Sequence, residues 1–219
     1  MANPCQGEET RHKSEGARIV AIMTAAEARL YVRTISGTGE DTTLNTLISR
    51  ADAAMAAAIG LPPPTAGGIP TLEDTAHTFY LTGEGGQELR IPYSPIQSIT
   101  SIHDSDDRTY GSGDLVAASD YELYGLEGIV RLKDNSTHGY WTKVPRGIKA
   151  VAVIGWTSIP EDIKHAAGLQ VAYWFKNRDH IGYTSVNQGG GTIQIQQMGL
   201  LPEVRQMLRP YRQPSTWVG

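Results

Sequence analysis

The residues of this chain able to carry protons or ligate metals are scattered. Six histidines stand at positions 12, 77, 103, 138, 165 and 180. Imidazole titrates near neutral pH and is a common metal ligand. None of the six makes an H-E-x-x-H pair or another metal-ligand spacing, so surface and capping roles are expected. His165 falls in the exposed first turns of a predicted helix and reads as a solvated polar residue. Asp104-Ser105-Asp106-Asp107 opens like a calcium loop, but such a loop needs glycine at its sixth position and glutamate at its twelfth. Thr109 and Leu115 stand there, so a polar turn is expected. Gly83-Glu84-Gly85-Gly86 has the composition of a phosphate cradle, yet a cradle opens a helix and a strand follows. Neither a P-loop nor a G-x-S-x-G elbow is present. Cys5 is the only cysteine, which excludes an intramolecular disulfide and a cysteine zinc site. No catalytic residue, cofactor or metal site is expected, and the expected protein is not an enzyme.

The bulk numbers agree with a modest folded core. The 219 residues are 40% hydrophobic and 19% charged, enough for one domain with arms. With 24 glycines and 12 prolines, much of the chain must be turn or extended arm. A formal charge of −4 argues against wrapping nucleic acid, which needs a clear excess of Lys and Arg. No run of about 18 apolar residues exists to span a membrane. Residues 1–18 are polar with mixed charge and read as an arm, not a secretory signal.

Periodicity then gives the elements. Thr24-Ala25-Ala26-Glu27 is a capping box that starts a predicted helix over 24–36, with Ala28, Tyr31, Val32 and Ile35 on one stripe and Gly37 as its stop. A second helix over 41–59 is capped by Asp41 and striped by Leu44, Leu47, Ile48, Ala51, Met55 and Ile59. Gly60 and Pro62-Pro63-Pro64 end it. A β insert over 79–156 follows. Phe79–Leu81 and Glu88–Ile91 read as a hairpin around Gly83–Gly86. Ile96 to His103 reads as a strand whose apolar spacing of three implies a bulge. Tyr121–Tyr124 and Ile129–Leu132 read as a pair, and 148–154, apolar on both faces, as a central strand. A third helix spans 160–178. Residues 182–199 form a Gly/Gln-rich loop with a possible strand near 192–196, and Pro202–Leu208 a short helix. The expected fold is α+β with a mainly helical core: a helix hairpin and a third long helix, carrying an inserted antiparallel β region. The expected units are an arm (1–18), a domain (19–178) and a C-terminal loop and docking arm (179–219).

Two features point to assembly. In the third helix, Ile163, Ala166, Ala167 and Trp174 make one stripe, but Leu169, Val171, Ala172, Tyr173 and Phe175 lie off it. A helix apolar on several sides is deeply buried or shared with a neighbour, and the rest of the chain reads as too small and polar to cover it. Tyr173, Trp174 and Phe175 are therefore the expected contacts between subunits. The C-terminal segment carries Arg205, Arg209, Tyr211, Arg212 and Trp217, with no acid after Glu203. Arginine and aromatic residues are enriched at interface hot spots, so these five are the expected docking residues, against the simpler reading of a tail folded onto its own domain. The loop 182–199, with Ile193 and Ile195, either orders on a partner or closes on the main sheet.

The order of these parts resembles the phage head–tail connector (adaptor) proteins of the HK97 gp6-like class. The resemblance rests on Thr24 to Ala28; on Asp41, Leu44, Leu47, Ile48 and Ala51; on Pro95-Ile96-Gln97-Ser98-Ile99; and on Ser119-Asp120-Tyr121-Glu122-Leu123. Its most specific part is the strand–helix junction Val153 to Trp156, Ile159 to Ala166 and Asn177-Arg178. It covers residues 23–178. It implies a virion protein, assembled in the host cytoplasm, that forms a ring, often twelve-fold, under the portal. The C-terminal arm would reach the portal, a stopper or tail-completion protein would bind the far side, and DNA would pass through the lumen without specific binding. No cofactor and no membrane contact are implied. The rivals are another neck, tail-completion or baseplate protein, and a cellular ligand-binding or enzymatic domain.

Overall fold

The computed structural model describes residues 22–32, 35, 37–178, 185–188, 191–194 and 199–213, the segments 185–188 and 191–194 by their backbone alone. Helix α1 (Ala25–Tyr31) begins at the expected capping box. The Thr24 hydroxyl accepts from the Glu27 amide at 3.2 Å while the Glu27 carboxylate accepts from the Thr24 amide at 2.6 Å. It is shorter than the spacing predicted. Val32 leaves the helical region (φ −106°, ψ 81°) and turns into the core, fully buried. Helix α2 (Asp41–Ile59) has the predicted bounds and ends at Gly60, which takes the left-handed conformation (φ 93°). Its cap is Glu40; Asp41 instead pairs with Arg29 and ties α1 to α2. Leu44, Ile48, Ala51, Met55 and Ile59 face inward. Asp52 holds the following linker by accepting from the Thr71 hydroxyl (2.8 Å) and the Leu72 amide (3.1 Å), and burial pushes its carboxyl up.

Six strands make two antiparallel three-stranded sheets: β1 (Thr75–Leu81), β2 (Glu88–Arg90), β3 (Ile96–Asp104), β4 (Tyr121–Tyr124), β5 (Ile129–Leu132) and β6 (Ile148–Ile154). The first has the order β1-β6-β3 and the second β2-β5-β4. β6 is central, as its two-sided apolar character predicts, and buries Ile148, Ala150, Ala152 and Ile154. β3 carries register shifts at Ile96/Ser98 and Ile99/Ser101, the irregularity its spacing of three announces. The predicted hairpin at Gly83–Gly86 does not form. β1 pairs with β6 and β2 with β5, so residues 82–87 cross from one sheet to the other. Gly83 is needed there for close approach, since a side chain would collide with the Thr142 carbonyl and Trp141. Asp104 ends β3, and Ser105 to Asp107 open the expected polar turn. The buried Ser105 hydroxyl donates to Asp107 at 2.8 Å, and Asp104 meets His138 Nε2 at 2.6 Å.

Helix α3 (Glu161–Lys176) starts just after Pro160 and packs on α1 and α2. A second pair of strands, β7 (Ser185–Gln188) and β8 (Gly191–Gln194), forms a hairpin, and a short helix α4 (Pro202–Met207) packs on α3. No helix among the described residues is long and apolar enough to cross a membrane.

The expectation of a mainly helical core is overturned. Among the described residues four α-helices stand beside eight strands, six of them in two antiparallel sheets, so the β part is no insert on a helical body. The core includes Leu89, Ile102, Val130, Leu132, Trp141, Ile148 and Ile154 alongside the helix residues. Each short strand buries one face, and the two sheets together supply as coherent an apolar surface as the helices do. The chain itself covers part of the apolar surface of α3: Val171 is fully buried, and Ala172 and Phe175 are 7% and 6% exposed, while Leu169, Tyr173 and Trp174 stay half-buried. Gly168 makes this possible. The Tyr31 ring of α1 lies directly on it, and the Tyr31 hydroxyl reaches His165 Nδ1 at 3.0 Å.

Candidate interaction surface

The surface begins with α3, whose polar Gln170 interrupts an apolar stripe and is fully buried. A buried amide needs partners. Its carbonyl oxygen accepts from the Leu201 amide at 2.8 Å, and its nitrogen lies 3.5 Å from the Gly199 carbonyl. The chain is thereby delivered to Pro202, which suits a first helical position. α4 then buries Val204 and, past its end, Leu208 against the domain.

Beyond α4 the chain stays on the domain through Gln213. The Tyr211 hydroxyl donates to Asp162 at 2.7 Å, and the ring meets Trp156 edge-on, with centroids 5.7 Å apart at 82°. Gln213 closes the segment: its backbone amide donates to the Ile59 carbonyl (2.9 Å), and its side chain exchanges two bonds with the backbone of Ser94 (2.8 and 2.5 Å). The end of α2, the loop before β3 and the start of α3 are thus joined by one short stretch.

The Asp162 hydrogen bond, with burial and the carboxylate charge behind it, pushes the Tyr211 hydroxyl up to about 12. An unperturbed tyrosine titrates near 10. The shift is upward, so this contact contributes fully below about pH 10 and is lost as pH rises through about 12. The Trp156 indole resonance should therefore move over that window in the natural chain. In Tyr211→Phe, where no phenol titrates, it should stay still; an equal shift in the variant would refute the link.

The structure separates the five expected docking residues. Arg205, Arg209 and Arg212 are exposed and line one open groove, whereas Tyr211 is half-buried and serves the attachment just described. Trp217 lies outside the described residues. On α3, Tyr173 and Trp174 are half-buried, while Phe175 is covered by the chain itself, with the Arg178 guanidinium 4.0 Å over its ring. Arg178 also reaches Glu40 at 3.7 Å. Sequence reasoning missed Gln170 and Gln213. Gln170 carries a legible signal, a polar residue on an apolar stripe; Gln213 carries none, because its partners lie more than a hundred residues away. Of the histidines, 12 and 180 lie outside the described residues, as do Cys5, Ile195 and Met198. His77 is buried, which pushes its imidazole down; His165 is exposed. No group of three His, Cys, Asp or Glu among the described residues is placed to hold a metal ion.

The described residues thus form an α+β body whose attached C-terminal segment carries an arginine-lined groove. The chain is a member of the head completion protein family, whose model matches residues 21–214. Its fold is similar to chains in three solved gene transfer agent structures. One is the neck of an empty particle computed with sixfold symmetry, at 17% identity, covering 90% of this chain and 93% of that one, with a TM-score of 0.53. Another is the native virion, at 18% identity, 90% and 93% coverage and a TM-score of 0.52. The third is the neck of the native particle computed with twelvefold symmetry, at 16% identity, 89% and 91% coverage and a TM-score of 0.50. At these identities the likeness is one of fold. No curated protein matches the chain.

Proposed function

We propose that this protein is a non-enzymatic adaptor of the virion neck. It forms a closed ring, twelve-fold by expectation, beneath the portal, joins head to tail, and leaves a channel through which DNA passes. The observation that carries this reading is the family match across residues 21–214. It is supported by the fold likeness to chains of particles whose necks were computed with sixfold and twelvefold symmetry. A ring of one chain needs two different surfaces that meet head to tail. The partly covered Tyr173 and Trp174 belong to one of them in this reading, and Phe175 supports them from within. The segment carrying Arg205, Arg209, Tyr211, Arg212 and Trp217 docks on the portal, and a stopper or tail-completion protein covers the opposite side. A mildly acidic chain suits a conduit that must not grip a polyanion.

The test is electron microscopy of the full chain mixed with the portal ring of the same virion. The expected image is a ring of copies on one end of the portal. Binding to the tail tube with none to the portal would instead make this a tail-completion protein.

A further inference from the structure

In a chain of net charge −4, residues 199–213 carry three arginines and one acid, Glu203. Arg205, Arg209 and Arg212 follow one another at intervals of four and three, all are exposed, and none meets a carboxylate among the described residues. Together with Gly199, Leu200 and Pro202 they line an open groove of about 750 Å³. Every anchor of this wall lies beneath it: Gln170 holds 199–201, Val204 and Leu208 are buried, and Tyr211 and Gln213 fasten the far end. The guanidinium stems therefore rise from a fixed backbone, which lowers the entropy lost on binding.

We infer that this groove binds an extended segment of a partner protein bearing two or more spaced carboxylates. Guanidinium forks pair with carboxylates through two parallel hydrogen bonds, and Leu200 and Pro202 offer apolar surface to the side chains between them. Duplex DNA fits less well. The exposed Glu203 lies two residues before Arg205 in the same segment, and the chain as a whole is net negative; a continuous line of phosphates suits neither, whereas a peptide can place its acids only opposite the arginines. The identity of the partner as the portal rests on the function proposed above; the chemistry of the groove does not.

The experiment places p-benzoylphenylalanine at Gln206, an exposed residue of the groove, in the full chain. The chain is irradiated with the portal ring and, separately, within whole particles, and crosslinked peptides are identified by mass spectrometry. In parallel, portal affinity is measured for the natural chain, for Arg205→Gln with Arg209→Gln, and for Arg205→Lys with Arg209→Lys. The expected crosslink is to a segment with Asp or Glu within a few residues. The glutamine pair should bind more than tenfold more weakly, the lysine pair should lose less, and both should melt with the natural chain because the side chains are exposed. A crosslink to DNA, to another copy of this chain or to a segment without acids would overturn the proposal. So would the absence of any crosslink, or undiminished portal binding by the glutamine pair. If the natural chain ignores the portal, the portal reading fails by itself, and the crosslink in whole particles decides the groove.

Discussion

Trp141→Ala should lower the stability of the folded chain by about 3–5 kcal/mol, the range for emptying a large aromatic site in a core. Trp141 is fully buried, and three kinds of contact converge on it. Its indole N–H donates to the Gln87 carbonyl at 3.0 Å, its backbone amide donates to the Gly86 carbonyl at 2.9 Å, and the His138 ring tilts against it at 5.7 Å. Gly83, which lacks a side chain, makes room for it. The residue thus fills the space beneath the connection between β1 and β2. Alanine leaves a void and removes one of the two hydrogen bonds on the Gln87 carbonyl, which keeps the Leu132 amide at 2.8 Å, at the first of the chain's crossings between the sheets. Urea denaturation of the two chains measures the loss. A change below 1 kcal/mol would mean that the crossing is held by something other than this ring.

Gly155→Ala should cost about 3 kcal/mol, for two separable reasons. Gly155 sits at φ +118°, where a side chain is strained by roughly 1–3 kcal/mol. Its missing side chain also faces backbone: a Cβ there would meet the Glu73 carbonyl group and come within 2.9 Å of the Asp74 nitrogen. That backbone cannot swing aside, because the Trp156 amide donates to the Leu72 carbonyl at 2.9 Å and Glu73 bridges to Trp156. Overpacking of this kind adds about 1–3 kcal/mol. Gly37→Ala is the matched control, with φ +92° but open space around it, so it should show the strain alone. Thermal melts of both variants isolate the steric part. If the two lose equally, the close approach at Glu73 contributes nothing.

Some of this architecture was legible in the residues. α2 was readable to its ends because its stripe is long and its stop is a glycine followed by prolines. The irregularity of β3 and the central place of β6 were readable because a strand reports its own two faces in its own side chains. What failed involved partners. Gly83–Gly86 has hairpin composition, but composition does not record that Glu88–Arg90 pairs with residues near 130, nor that the glycine is needed against Trp141. The helical weighting failed for the same reason: three- and four-residue strands look like an insert until their buried faces are joined. The surplus apolar side of α3 was real, but Tyr31 over Gly168, and Val204 and Leu208 from the C-terminal segment, take up part of it. The arginines of the docking segment were visible as a run of charge. Its attachment by Gln170, Tyr211 and Gln213 was not, because each finds its partner far away in sequence.

The sheet order has a consequence for synthesis. Among the described strands, the partner that β1 and β3 share is β6, which begins at residue 148. A nascent chain that has passed both strands still lacks the one between them. Its Ile-, Phe- and Tyr-bearing edges must wait for the ribosome to deliver the middle. Such long-range pairing slows folding and leaves unpaired edges open to aggregation. Fragments ending before residue 148 should therefore be insoluble or chaperone-bound, and yield should depend on growth temperature more steeply than for a chain of helices alone.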